Sequence, residues 1–90
     1  MKIKGINILT EAFNVNNGKD ATISISHKLY GGQKIKCKLD GFCDGNRIGF
    51  KVCNGQDIFI YSDDLANYGV DNGIYFADDM MEITIKLQEQ

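Results

Sequence analysis

Few groups in this 90-residue chain could act as nucleophiles or metal ligands. It contains one histidine, His27, and three cysteines, Cys37, Cys43 and Cys53. A thiol nucleophile needs a neighbouring base, and a structural zinc site needs closely spaced pairs of Cys or His. No two cysteines have C-x-x-C spacing, and the sequence has neither a phosphate-binding glycine loop nor a G-x-S-x-G motif. We therefore predict that the protein is not an enzyme and holds no metal or cofactor.

Carboxylates are concentrated toward the end of the chain. Residues 54–90 carry eight acidic side chains and one basic one, whereas residues 1–53 carry nine basic and four acidic ones. A calcium loop would need oxygen ligands at fixed offsets from its glycine, and aligning Gly73 with that glycine puts Tyr68 and Val70 at two of them. We interpret the acidic residues as turn and capping groups that also make one surface negative.

Large apolar side chains are mixed with these carboxylates between residues 62 and 76. Tyrosine is enriched at protein interfaces, and charged residues commonly surround them. The composition predicts a surface that binds another protein, whose identity the sequence does not give. The candidate partner-binding residues are Asp63, Asp64, Leu65, Tyr68, Tyr75 and Phe76. The domain would be a non-catalytic interaction module, which could self-associate through a strand edge or act as an acidic inhibitor or adaptor.

Lysines mark an alternative surface. Three of them alternate along one predicted strand, near a fourth lysine and an aromatic ring, a combination suited to phosphates and stacked bases. A single arginine and a pI of about 5.2 disfavour a dedicated nucleic-acid binder. Nucleic-acid binding by a small β-barrel is therefore the alternative function. Its candidate residues are Lys34, Lys36, Lys38, Phe42 and Lys51.

Length and composition predict one domain, residues 1–90, in the cytoplasm. Hydrophobic residues make up 43% of the chain and charged residues 24%, as in a globular protein. Three cysteines do not make a disulfide framework. The apolar segment at residues 6–9 is too short for a signal peptide, and no apolar run reaches the length of a membrane span. We therefore expect no association with a membrane.

Alternation of polar and apolar residues predicts an all-β fold. The clearest signal is a three-stranded β-meander at residues 33–61, whose turns contain Asp44-Gly45-Asn46 and Asn54-Gly55. Further strands are predicted at residues 1–10, 21–29, 74–77 and 81–88, with a bulge at Gly5 in the first of them. Turns are predicted at residues 16–18, 31–32 and 71–73. One short helical turn is predicted near residues 62–69, with Ser62 as its N-cap. About six such strands bury their apolar faces in a small antiparallel barrel or roll.

Charge selects the register of the first hairpin of the meander. A loop at Asp44-Gly45 would place Lys38 opposite Lys51, whereas a loop one residue later pairs opposite charges, which is more stable. The favoured register places Asp44 opposite Arg47, Phe42 opposite Gly49 and Asp40 opposite Lys51. The second hairpin stays open between two registers. A two-residue loop places Phe59 and Tyr61 on the face of Phe50, and a loop longer by one residue places Ile58 and Ile60 there.

Overall fold

The structure of the protein, a computed structural model, describes residues 3–44, 46–52, 55–71 and 73–88. These residues form one helix, eight strands and a 3₁₀ turn at Ser62–Asp64. The helix, α1, spans Ile3–Asn16. The strands are β1 (Asp20–His27), β2 (Gly31–Lys38), β3 (Gly41–Cys43), β4 (Arg47–Lys51), β5 (Asp57–Tyr61), β6 (Asn67–Gly69), β7 (Ile74–Ala77) and β8 (Met81–Leu87). The helix is not long and apolar enough to cross a membrane.

The strands form two antiparallel sheets, which confirms the prediction of a small all-β domain. One sheet has five strands in the order β2-β1-β8-β7-β6, and the other has three in the order β3-β4-β5. Across the described part of the chain, the two sheets do not close into a barrel. The predicted strands at 21–29, 74–77 and 81–88 are confirmed as β1, β7 and β8, with ends within two residues of those expected.

The segment predicted as the first strand is a helix instead, and no bulge forms at Gly5. Residues with modest helix propensity, such as Ile6, Asn7 and Ile8, gave the segment a strand-like composition. Tertiary packing decides the outcome, because Leu9 and Phe13 lie four residues apart on one helical face and are both buried in the core. The ring of Phe13 meets the ring of Phe76 edge to face, with centroids 6.1 Å apart.

The predicted meander at residues 33–61 is divided between the two sheets. Its first part belongs to β2, which pairs with β1 in the larger sheet, and only residues 41–61 form the meander β3-β4-β5. The predicted turn at residues 31–32 is also wrong, because these glycines lie within β2 and the chain turns at residues 28–30. Apolar alternation continues through Leu39, which is buried, so the pattern does not show where the sheets separate.

The side chain of Asn17 hydrogen-bonds to the backbone where the chain passes from one sheet to the other. Its Oδ1 atom accepts a hydrogen bond from the backbone N–H of Gly41 at 2.8 Å, and its Nδ2 atom donates to the Gly41 carbonyl at 3.1 Å. The side-chain amide thereby satisfies the same backbone groups that a neighbouring strand would satisfy. Gly41 leaves no room for a side chain, because a Cβ atom there would clash with the ring of Phe13.

The first hairpin has the register that charge selected. Phe42 pairs with Gly49, the Asp44 N–H donates to the Arg47 carbonyl at 3.1 Å, and the Lys51 N–H donates to the Asp40 carbonyl at 2.9 Å. The second hairpin adopts the longer loop, which places Ile58 opposite Phe50 and Ile60 opposite Ile48. Within these turns, Gly45, Cys53 and Asn54 lie outside the described residues.

The helical turn predicted near residues 62–69 is confirmed but shorter. Only Ser62–Asp64 is helical, and Asn67–Gly69 forms the edge strand β6. Ser62 does not cap this turn but begins it, and its N–H donates to the carbonyl of Asn46 at 2.8 Å. This bond places the turn beside the β3–β4 hairpin. Asn72, in the predicted turn before β7, lies outside the described residues.

Candidate functional site

Two of the six predicted partner-binding residues are core residues. Leu65 and Phe76 are buried, with exposed fractions of 2% and 0%. They can support a surface, but they cannot touch a partner. Asp63 and Asp64 are exposed on the 3₁₀ turn, as the prediction requires.

The two tyrosines of the predicted site lie on opposite faces of the five-stranded sheet. Tyr68 pairs with Phe76 and shares its inward face. Tyr75 pairs with Thr84, one position further along the strand, so it faces outward. The segment at residues 62–76 therefore does not form one continuous surface.

The structure assembles only part of the alternative surface. Lys34, Lys36 and Lys38 are exposed on β2, and the Nζ atom of Lys38 lies 3.1 Å from a carboxylate oxygen of Asp20. Lys36 and Lys38 line an open groove of about 790 Å³ together with Lys51. Phe42 lies on the three-stranded sheet with an arginine over its ring. The structure thus brings the lysines of two sheets together but gives Phe42 a different neighbour.

A cluster that the sequence analysis did not assemble lies on the outer face of the three-stranded sheet. The inner face of this sheet carries Ile48, Phe50 and Ile60, which are buried. Pairing arranges the outward residues in three rows. They are Asp40, Lys51 and Asp57; Phe42, Gly49 and Phe59; and Asp44, Arg47 and Tyr61.

Arg47 lies across the glycine at the centre of this face. Its Cζ atom is 5.3 Å from the ring centroid of Phe42 and 5.0 Å from that of Phe59, within the range of cation–π attraction. The rings of Phe59 and Tyr61 meet edge to face with centroids 5.3 Å apart. Because Gly49 has no side chain, the guanidinium can occupy the space between the two phenyl rings. We call Phe42, Arg47, Phe59 and Tyr61 the aromatic–arginine cluster.

Asp44 fixes the guanidinium of Arg47 from one side. Its Oδ2 atom accepts hydrogen bonds from Nε at 3.0 Å and from Nη2 at 2.8 Å. Its Oδ1 atom accepts from the backbone N–H groups of Asn46 at 3.1 Å and Arg47 at 2.8 Å. The side-chain bond from Arg47, followed by these backbone bonds, holds the pKa of Asp44 below its ordinary value. Asp57 lies on the other side, with an oxygen 4.0 Å from Nη1 of Arg47.

The carboxylate of Asp44 should stabilise the fold at neutral pH and lose that effect in acid. Its pKa in the folded protein lies below the ordinary value of 3.8, so its contribution is fully present above 3.8 and is lost as the pH falls through the folded pKa. We expect Asp44→Asn to be less stable than the wild type at pH 7 and to approach it as the pH falls below 3.8. Urea unfolding of both proteins across this range measures the difference.

Asp79→Asn provides the control for this experiment, because it removes an exposed carboxylate outside the cluster. Its effect on the free energy of unfolding should be small throughout this pH range. A destabilisation by Asp44→Asn that stays constant as the pH falls from 7 to below 3.8 would show that the charge of Asp44 is not what stabilises the hairpin.

His27 and Cys43 each have a hydrogen-bond partner close by. The Nδ1 atom of His27 accepts a hydrogen bond from the Leu29 N–H at 3.0 Å, and its ring lies 4.6 Å from that of Tyr30. Burial raises the pKa of the Cys43 thiol, although a hydrogen bond from Thr10 opposes the rise. A thiol with a raised pKa is a weaker nucleophile at neutral pH. Among the described residues, no three His, Cys, Asp or Glu side chains are placed to hold a metal ion.

Phe59 and Tyr61 are the cluster residues that sequence reasoning missed. Phe42 and the Asp44–Arg47 pair were identified, but the face of β5 depended on the undecided length of the second loop. Gly55 has a positive φ of 89°, as expected for the left-handed residue of a three-residue hairpin loop. A left-handed Gly55 goes with the longer loop, and that loop places Phe59 beside Gly49 in the cluster.

Comparison with protein-family models, with curated proteins and with solved structures gives no match for this chain. The molecule is a small antiparallel β domain with an aromatic–arginine cluster on one sheet face. Its function is therefore inferred from the geometry and charge of that face.

Proposed function

We propose that the protein is a non-catalytic interaction module that binds another protein through the aromatic–arginine cluster. The observation that carries this proposal is the position of Phe42, Arg47 and Phe59 on the outer face of the three-stranded sheet. Tyr61, at the end of the same face, is 56% exposed. Aromatic residues and arginine dominate the energetic hot spots of protein interfaces. Residues already ordered on paired strands also lose less entropy on binding.

The charge around the cluster favours a basic partner. Asp40, Asp44 and Asp57 lie on the same face, and two further carboxylates follow Tyr61 in the 3₁₀ turn. Arg47 and Lys51 are the basic residues of that face, so its charge is negative. Complementary charge speeds association and suppresses wrong partners. Asp63 and Asp64 thus keep a role as the rim of the interface.

This combination supports an acidic inhibitor or adaptor that docks on a basic protein surface. We expect it to act in the cytoplasm, where a thiol such as that of Cys43 stays reduced. The docking would use the sheet face, and it requires no chemical step by the protein itself.

Tyr61→Ala should weaken binding to the partner at least about tenfold, because Tyr61 is the most exposed member of the cluster. The wild-type protein first captures proteins from its native host. Each captured protein is then purified, and isothermal titration calorimetry gives its affinity for the wild type and the variant. Tyr30→Ala is the matched control, because Tyr30 is 84% exposed on the loop between β1 and β2, outside the cluster.

The proposal is supported if a captured protein binds the wild type directly, binds Tyr30→Ala equally well and loses affinity for Tyr61→Ala. Its affinity should also fall as salt is added, because the rim is charged. It is overturned if every direct partner binds Tyr61→Ala as tightly as the wild type. Circular dichroism of the variant ensures that the loss is not a loss of folding.

A further inference from the structure

β2 presents a long backbone edge. It forms one side of the five-stranded sheet with eight residues, whereas β6 on the other side has three. The N–H and C=O groups of successive residues in a strand point to opposite sides. The β1–β2 pairing continues one residue beyond β2, where the Leu39 N–H donates to the Lys19 carbonyl at 2.9 Å. Because alternate residues point the same way, the backbone groups of the odd-numbered residues of β2 also point toward β1. The backbone groups that point away from β1 are those of Gly32, Lys34, Lys36 and Lys38.

The inward side chains of β2 are incompletely covered. Ile35 and Cys37 pack against the core but are only half-buried. Their partners in the adjacent strand, Ile23 and Ala21, are buried. Apolar residues on a further strand beside β2 would cover the exposed parts of Ile35 and Cys37 and extend the core.

The outward side chains of β2 give this edge a positive charge. Lys34 pairs with Ser24 and Lys36 with Thr22, so neither has a carboxylate opposite it, whereas Lys38 has Asp20. Lysines on an edge strand oppose uncontrolled pairing with other strands. An antiparallel second copy of β2 centred on Ile35 would bring Lys34 opposite Lys36 of that copy, which like charge disfavours. Acidic residues in these positions would be stabilised instead.

We propose that the β2 edge binds an extended segment of another protein in which acidic and apolar residues alternate. The segment adds a strand to the sheet, with its backbone bonded to the outward N–H and C=O groups of β2. Its acidic residues lie beside Lys34 and Lys36, and its apolar residues lie beside Ile35 and Cys37. The lysines therefore disfavour pairing with uncharged strands and with a second copy of β2, and they favour pairing with the acidic segment. This surface is separate from the aromatic–arginine cluster and does not depend on it.

Synthetic peptides test the proposal on the full chain. The probe alternates Glu and Val, one control peptide replaces each Glu with Lys, and another replaces each Val with Ser. We expect the Glu–Val peptide to bind about tenfold more tightly than either control. Hydrogen exchange followed by NMR should show slower exchange at the amides of Gly32, Lys34 and Lys36. The amides of Gln33 and Ile35, which face β1, should not change.

Lys36→Glu should weaken binding of the Glu–Val peptide about tenfold and strengthen binding of the Lys control peptide. Lys28→Glu makes the same change in net charge at an exposed position of the 28–30 turn and should change neither affinity. Tyr61→Ala should also bind the peptide normally, which separates this result from the test of the cluster.

Three results would overturn the proposal. The Glu and Lys peptides could bind equally well, or the Glu–Val peptide could bind without protecting the amides of Gly32, Lys34 and Lys36. The third result is that none of the peptides binds, whereas a single-stranded oligonucleotide binds to the wild type and not to Lys36→Glu. That result would assign the lysines to nucleic-acid binding.

Discussion

Replacing Phe13 with alanine should lower the free energy of unfolding by about 3–5 kcal/mol. Phe13 joins the helix to both sheets, because its ring packs edge-on against Phe76 of β7 and fills the space beside Gly41 at the start of β3. The substitution would leave a cavity between α1, β3 and β7, which the surrounding side chains can fill only partly. Urea denaturation followed by circular dichroism measures the loss.

Val15→Ala is the matched control for this prediction. Val15 belongs to the same helix but is 65% exposed, so its truncation should change the free energy of unfolding by no more than about 0.5 kcal/mol. If Phe13→Ala were as mild as Val15→Ala, the helix could not be an integral part of the core.

Gly49→Ala should destabilise the protein by about 2–3 kcal/mol, although it adds a single methyl group. A Cβ atom at this position would clash with the carbonyl oxygen of Ile58 and would lie 2.5 Å from the Cβ atom of Phe59. Because the first of these contacts is with backbone, β5 must move before the methyl group fits. Chemical denaturation measures the destabilisation, and the same shift should weaken partner binding by displacing Phe59 and Arg47.

Gly69→Ala is the corresponding control in another strand. A Cβ atom at Gly69 would meet no heavy atom within 4 Å, and this glycine is not among those with positive φ. Its replacement should change stability by no more than about 0.5 kcal/mol. Wild-type stability in Gly49→Ala would mean that the β4–β5 pairing is looser than the structure shows.

The fold could be predicted from sequence where a strand's own pattern determines its structure. β1 and β8 alternate polar and apolar residues and were found, and opposite charges identified the pairing of Asp44 with Arg47. The helix could not be found in this way, because its own residues favour other structures. It forms because Leu9 and Phe13 meet strands that lie far away in the chain.

The change of sheet after β2 has no local signal. Leu39 continues the inward alternation from Ile35 and Cys37, so the sequence resembles one long strand. The break depends on the amide of Asn17 bonding to Gly41, which lies 24 residues away. Polar contacts across such a separation cannot be inferred from spacing alone.

The candidate site was only partly predictable for a related reason. Composition indicated that residues 62–76 contain aromatic and acidic side chains, but it did not show which of them face the core. Phe76 alternates with Tyr75 along β7, and only the inner neighbour is buried. Phe59 lies in the cluster because the loop between β4 and β5 is the longer of the two that the sequence allowed.

The position of β8 has a consequence for the order in which the chain folds. β8 follows every other strand in the sequence, yet it lies between β1 and β7 in the five-stranded sheet. The β1–β2 and β6–β7 hairpins close over short distances, but each has an unpaired inner edge until β8 arrives. When β8 pairs with β1, it brings together residues as far apart in the sequence as Ile23 and Ile85, and such long-range pairing is slow. During synthesis, the larger sheet therefore remains two separate, aggregation-prone hairpins until β8, which follows both of them in the sequence, inserts between them.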